Sequence, residues 1–148
     1  MAIPKVTTRA VLLVGKEHCQ VKELIAAGTI TPGHILAITS AGKYAVHPTA
    51  GGRWGGAVAD MADYNGKGID DNYVANDNVF AWNVVRGCEI NGLVAATAPA
   101  IAVGDYLASA GDGTLKKSTT PAEYIAQALV AVDNSAGGTP ARILAIII

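Results

Sequence analysis

Charge is scarce in this sequence. Asp, Glu, Lys and Arg supply 16% of its 148 residues, against about 25% in an ordinary soluble domain. Eleven basic and twelve acidic residues leave a formal net charge of -1, so there is no basic stripe of the kind that nucleic acid or an anionic membrane requires. Neither is expected as a partner. Long apolar runs are absent as well: the longest, Ile143 to Ile148, is far below the roughly 18 residues of a membrane-spanning helix. The opening Met1-Ala2-Ile3-Pro4-Lys5 has neither the apolar core nor the small-residue cleavage site of a secretory signal, and export by that route is not expected. Aromatic residues are 5%, which speaks against a platform of stacked rings. Cysteine occurs twice, as Cys19 and Cys88, without C-x-x-C spacing. Both are expected as reduced, mostly buried thiols, a disulfide between them being the alternative.

What is abundant is apolar surface. Hydrophobic residues reach 51% and mean hydropathy is +0.32. With no membrane span to absorb them, burial against other protein chains is the economical reading, in a homo-oligomer or a larger assembly. The length suits one compact domain, or one domain with an arm.

A short phrase recurs along the chain: an apolar residue, Gly or Asn three positions later, and a second apolar residue after three more. It occurs as Ile30-Thr31-Pro32-Gly33-His34-Ile35-Leu36, as Ile101-Ala102-Val103-Gly104-Asp105-Tyr106-Leu107, and in weaker form as Tyr73-Val74-Ala75-Asn76-Asp77-Asn78-Val79. Gly and Asn tolerate positive φ, so each copy reads as a tight turn that delivers the chain into a strand with an apolar inward face. The expected fold class is mainly β, a small β-barrel or β-sandwich built from hairpins, with an extended N-terminal arm and Gly-rich loops.

Residues 1–27 read as the arm and an edge strand, and 28–148 as the β-rich domain, with a loop insertion near 49–72. Within the arm, Gln20 to Ala27 has Val21, Leu24 and Ile25 at helical spacing before Gly28, which fits two helical turns, a length at which an isolated helix is marginal. Hairpins are expected through Ser40-Ala41-Gly42-Lys43 and through Ala110-Gly111-Asp112-Gly113. Val79 to Val85 alternates and reads as a strand. Residues 49–56 are glycine-dense and read as a mobile loop around Arg53-Trp54. Residues 121–132 fit either a capped helix or a buried strand; strand is preferred because the Ile-rich segment Ala141 to Ile148 needs a partner.

No constellation for catalysis emerges, so no catalytic, cofactor-binding or metal-ligating residue is assigned. The three histidines His18, His34 and His47 lie in separate segments, and only His18-Cys19 are adjacent potential ligands, short of the three or four that zinc needs. A nucleophile made from Cys88 with His34 or His47 depends on the fold. The stretch Asp63 to Asp71 imitates a calcium loop but puts Lys67 and Val74 where oxygen ligands belong. Arg and Trp are enriched at interface hot spots, which singles out Arg53 and Trp54. The expected interface residues are Val6, Val11, Leu13, Arg53, Trp54, Ile146 and Ile148.

The order of these turns resembles the capsid cement, or head decoration, proteins of tailed bacteriophages. The resemblance rests on Gly28-Thr29-Ile30-Thr31-Pro32-Gly33, on Gly66-Lys67-Gly68-Ile69-Asp70-Asp71-Asn72-Tyr73 followed by Asn76-Asp77-Asn78-Val79, on Val103-Gly104-Asp105-Tyr106-Leu107 with Ala110-Gly111-Asp112-Gly113-Thr114-Leu115-Lys116, and on Ile125-Ala126-Gln127-Ala128-Leu129 through Ala141-Arg142-Ile143. Asn76-Asp77 departs from the family's usual Gly-Asp, a change that Asn tolerates. The resemblance implies a structural virion protein without an active site or cofactor, commonly a homotrimer. Made in the host cytoplasm, it would sit on the outer capsid surface, bind the major capsid protein and tie its subunits together. Two other classes stay open: a phage tail or carbohydrate-binding β-module using Trp54 and Trp82, and a small β-barrel enzyme using Cys88 and His34. Within the cement reading, residues 2–14 would add a strand to a neighbouring subunit.

Overall fold

The computed structural model describes residues 10–148, and Val6 lies outside them. In chain order the strands are β1 (Leu12–Val14), β2 (Gln20–Ile25), β3 (Leu36–Ile38), β4 (Tyr44–Val46), β5 (Ala57–Ala59), β6 (Asn78–Asn83), β7 (Glu89–Val94), β8 (Tyr106–Ser109), β9 (Leu115–Lys117), β10 (Ala126–Ala128) and β11 (Ala141–Ile147). Six pair in the order β1-β7-β11-β10-β8-β9, and β9 returns to β7 in parallel through Val94 and Leu115. That return closes β7, β11, β10, β8 and β9 into a five-stranded barrel, so the mainly β reading holds. β7 shares one edge between two partners, β1 at Glu89 and Ile90 and β9 at Val94.

Beside the barrel lie a three-stranded antiparallel sheet, β2-β6-β5, and the β3-β4 hairpin. The two are stitched together by bridges from Ile35 to Val58 and from Ala26 to Tyr44. Two apolar cores result. Leu12, Ile90, Val94, Leu107, Leu115, Ile143 and Ala145 fill the first, and Ile30, Leu36, Tyr44, Tyr73, Val79 and Ala81 the second. β11 shows how period 2 builds the barrel wall: Ile143, Ala145 and Ile147 are buried while Arg142, Leu144 and Ile146 between them are half-buried. Burying a side chain of this size stabilises by about 1.5–3 kcal/mol.

The recurring phrase folds as its residues dictate. Gly33, Asn76 and Gly104 have φ of 96°, 73° and 87°, and all six flanking apolar residues (Ile30, Leu36, Tyr73, Val79, Ile101 and Leu107) are buried. The residue after each Gly or Asn closes the turn twice. Its backbone N–H donates three residues back, and its side chain accepts the N–H there: Asp77 Oδ2 from Val74 at 2.9 Å, Asp105 Oδ2 from Ala102 at 2.8 Å, and His34 Nδ1 from Thr31 at 3.0 Å. His34 is thus an imidazole doing a carboxylate's work. Gly68 and Asp71 repeat the device at 2.7 Å, outside the phrase as read from sequence.

Three expectations need revision, and the strand preferred within 121–132 is borne out over a shorter span. Gln20 to Ala27 is strand β2, not helix: it pairs in register with β6 from Gln20↔Asn83 to Ile25↔Asn78. Two isolated helical turns cannot recover their nucleation cost, whereas an edge strand gains a complete ladder on one side. The 49–56 loop is tied down rather than free, as described below. Residues 121–132 contain a 3-10 turn, Pro121–Glu123, and then β10, which pairs with β11 as expected; Thr120 makes no side-chain cap. Finally, β1 donates its strand to the chain's own β7, and Val11 and Leu12 are buried in the barrel core. Strand donation to a neighbour by 2–14 with the core intact is therefore excluded for the part from Val11 onward; the residues before it lie outside the described ones.

Candidate functional site

Residues 47–56 form the most distinctive surface feature, and it starts from a buried histidine. His47 follows β4 and is 4% exposed. Its Nε2 lies 2.6 Å from the Arg53 carbonyl, which can only accept, so Nε2 carries the proton. Nδ1 makes the second contact, with the Ser109 hydroxyl at 2.8 Å. Three further bonds hold the loop: Gly51 N–H to Ser109 O, Gly52 N–H to Thr49 O, and Trp54 Nε1–H to Ala57 O at 2.9 Å. At Gly56, φ is 93° and an added Cβ would lie 2.9 Å from the Val84 carbonyl, so only glycine fits the end of the loop.

This loop makes one wall of an open cleft of ≈ 370 Å³. Opposite it stand Val84 and Arg86 after β6, Glu123 to Ile125 before β10, and Ile147 and Ile148 at the end of β11. The structure therefore brings together three of the expected interface residues, Arg53, Trp54 and Ile148, from positions 94 or more apart between the loop and the chain's end. Val11 belongs to the core, Leu13 and Ile146 are half-buried, and neither of these two lines the cleft. Sequence reasoning missed Arg86 and Tyr124, which only the packing of β6 and β10 around the loop places there.

The cleft is amphipathic. Among the described residues neither the Arg53 nor the Arg86 side chain has an ion-pair or hydrogen-bond partner, although both are exposed. Glu123 accepts from the Ser118 hydroxyl at 3.1 Å, and Tyr124 stacks on Tyr106 with ring centroids 4.3 Å apart. Ile147, Ile148 and Val84 provide apolar lining. Two free guanidinium groups beside an apolar and aromatic floor suit a polypeptide segment carrying carboxylates among apolar side chains.

Hydrolytic chemistry finds no footing in the same residues. Ser109 and His47 are within hydrogen-bond reach, but Ser109 is 0% exposed and also accepts from Gly111 N–H, so no substrate carbonyl can meet it. Cys88 contacts Cys19 and Gly15. His34 lies elsewhere, against Thr31, with Asp112 and Arg142 as its charged neighbours. Burial, and secondarily the Arg142 charge, push its pKa down to about 4 although Asp112 opposes them. Among the described residues no three His, Cys, Asp or Glu side chains converge as a metal site.

No family model matches the chain, and no curated protein does. Among solved structures, the fold is similar to that of the head fiber gp8.5 N base of bacteriophage phi29. The TM-score is 0.62 at 11% identity, over 88% of this chain and 94% of that one. At that identity the likeness is one of fold: a nearly complete common architecture carried by different residues.

Proposed function

We propose that this chain is a structural protein of a bacteriophage head, mounted on the outer surface of the mature shell, where it binds the major capsid protein and ties adjacent subunits together. The observation that carries this reading is the near-complete fold shared with a phage head fiber base. The low charge and the two arginines at an amphipathic cleft, Arg53 and Arg86, unpaired among the described residues, support it. Attachment needs no chemistry. A protein that binds many equivalent sites on the assembled shell, and not its dissociated subunits, stabilises the shell by mass action and avidity. Self-association as a homotrimer is part of the proposal. The test is sedimentation of the purified chain with mature heads stripped of it: saturable binding and slower heat disruption of the heads support the reading, and no co-sedimentation overturns it.

A second reading is that the chain is the base of a longer head appendage, which the neighbour's description as a fiber base favours. It predicts few copies per head and no change in shell stability. The carbohydrate-binding alternative has less support. The Trp54 indole N–H is engaged by Ala57 O and that of Trp82 by Asp60, and both side chains are partly buried against the barrel core.

A further inference from the structure

Cys19 and Cys88 are 69 residues apart in sequence, yet their sulfurs lie 3.2 Å apart in the reduced protein. Cys19 follows the 3-10 turn Lys16–His18 and opens into β2, whereas Cys88 opens into β7. The pair therefore spans the seam between the three-stranded sheet and the barrel. The seam is shaped for this contact. Gly15, with φ of 94°, lies so close that an added Cβ would stand 2.6 Å from the Cys88 sulfur, which only a glycine permits. Cys19 is half-buried and reachable from solvent; Cys88, at 1% exposed, is not.

We propose that Cys19 and Cys88 are a disulfide site, closed when the folded protein meets a low-molecular-weight disulfide. The step balances with oxidised glutathione as the oxidant. The Cys19 thiolate attacks one glutathione sulfur and expels the other glutathione as a thiolate, which takes up a proton. Cys88 then loses its proton and attacks the Cys19 sulfur of the mixed disulfide, expelling the second glutathione. Two thiols are oxidised and one glutathione disulfide is reduced to two glutathione molecules. The accessible cysteine receives the oxidant and the buried one resolves it.

Closure is slow near neutral pH by design of the site. Burial first, and then the hydrogen bond with Cys88, push the Cys19 thiol up to about 11; a hydrogen bond at Val85 opposes them and the charges of Cys88 and Glu17 add smaller pushes upward, so little thiolate is present. A protein made among reducing thiols stays open while it folds. Should the head-protein reading above hold, closure would follow release of the particle into an oxidising medium; the chemistry of the site does not depend on that reading.

The test uses the full chain, purified reduced, exposed to oxidised glutathione, and then treated with an alkylating agent. The expected product is a monomer lighter by two hydrogens, resistant to alkylation, with one cross-linked peptide joining Cys19 to Cys88. Its melting temperature should rise by roughly 5–10 °C and fall back on reduction. Cys19→Ser and Cys88→Ala should each abolish both the cross-link and the rise. Two alkylatable sulfurs after oxidation, a stable glutathione adduct of the unmutated chain, or an intermolecular dimer would each overturn the proposal. Because the readout is on the isolated chain, its failure would leave the question of shell binding untouched.

Discussion

The imidazole of His47 holds the Arg53 carbonyl at 2.6 Å from inside the protein, so the exposed loop that carries Arg53 and Trp54 is positioned by a residue with no surface of its own. His47→Ala would leave the Ser109 hydroxyl and the Arg53 carbonyl without their partner. It should cost about 2–4 kcal/mol in denaturant unfolding. Hydrogen exchange should rise first at residues 51–56 rather than throughout the barrel. Uniform loss of protection would contradict the pinning role.

Stability should depend on pH through His34. Its folded pKa, about 4, lies below the about 6.5 of an unfolded histidine, so the unfolded chain binds more protons between these values. The contribution is complete above about pH 6.5 and is lost as pH falls toward 4, by about 3 kcal/mol. His34→Asn, which keeps an acceptor for Thr31 but does not titrate, should flatten that limb of the stability curve. An unchanged slope in the variant would contradict the assignment.

The turn glycines should differ in their sensitivity. An alanine Cβ at Gly33 would stand 2.8 Å from the Asn91 carbonyl and 2.5 Å from Arg142 Nη1, whereas at Gly104 the nearest atom, Gln127 Nε2, is 4.0 Å away. Gly104→Ala should cost about 1 kcal/mol, for the left-handed backbone alone. Gly33→Ala should cost more, about 2–4 kcal/mol, through strain and clash together. Equal losses on thermal unfolding would show that space is not the deciding factor.

Arg142 should matter through its carbonyl contacts more than through its ion pair. It donates to Pro32 O and Ile69 O at 2.5 Å each and to Asp70 at 3.0 Å, and the Asp70 side chain is 86% exposed. Asp70→Asn should therefore change stability by less than about 0.5 kcal/mol. Arg142→Lys keeps the charge but cannot span both carbonyls, and should cost about 1–3 kcal/mol. A larger loss from Asp70→Asn would reverse that ranking.

How far the sequence could be read follows from which interactions are local. The three turn phrases were legible because each needs only a positive-φ residue and two apolar neighbours, and Asn76 served as well as Gly. The hairpins at Gly42 and at Gly111 to Gly113 were legible for the same reason. β2 was misread because Val21, Leu24 and Ile25 fit a helical face, and the ladder with β6 that decides the matter lies more than fifty residues away in sequence. The barrel closure through Val94 and Leu115 and the encounter of Cys19 with Cys88 are likewise long-range, and periodicity carries no trace of them. The cleft was half legible. Arg53 and Trp54 stood out by residue type, but nothing in the sequence singles out Arg86, which the fold sets beside them.

If the cleft is the contact with the shell, Arg53→Glu together with Arg86→Glu should leave the melting temperature within about 2 °C, since neither side chain has an internal partner among the described residues. The same pair should weaken sedimentation with heads at least tenfold. Unchanged binding would move the contact to another face.

The most direct measurement is the number of copies of this chain relative to the major head protein in purified particles of its source, counted by quantitative mass spectrometry on separated heads and tails. The account predicts that the chain stays with the heads at near parity with the major head protein. A handful of copies per head, presence only with the tails, or absence from particles would contradict the account.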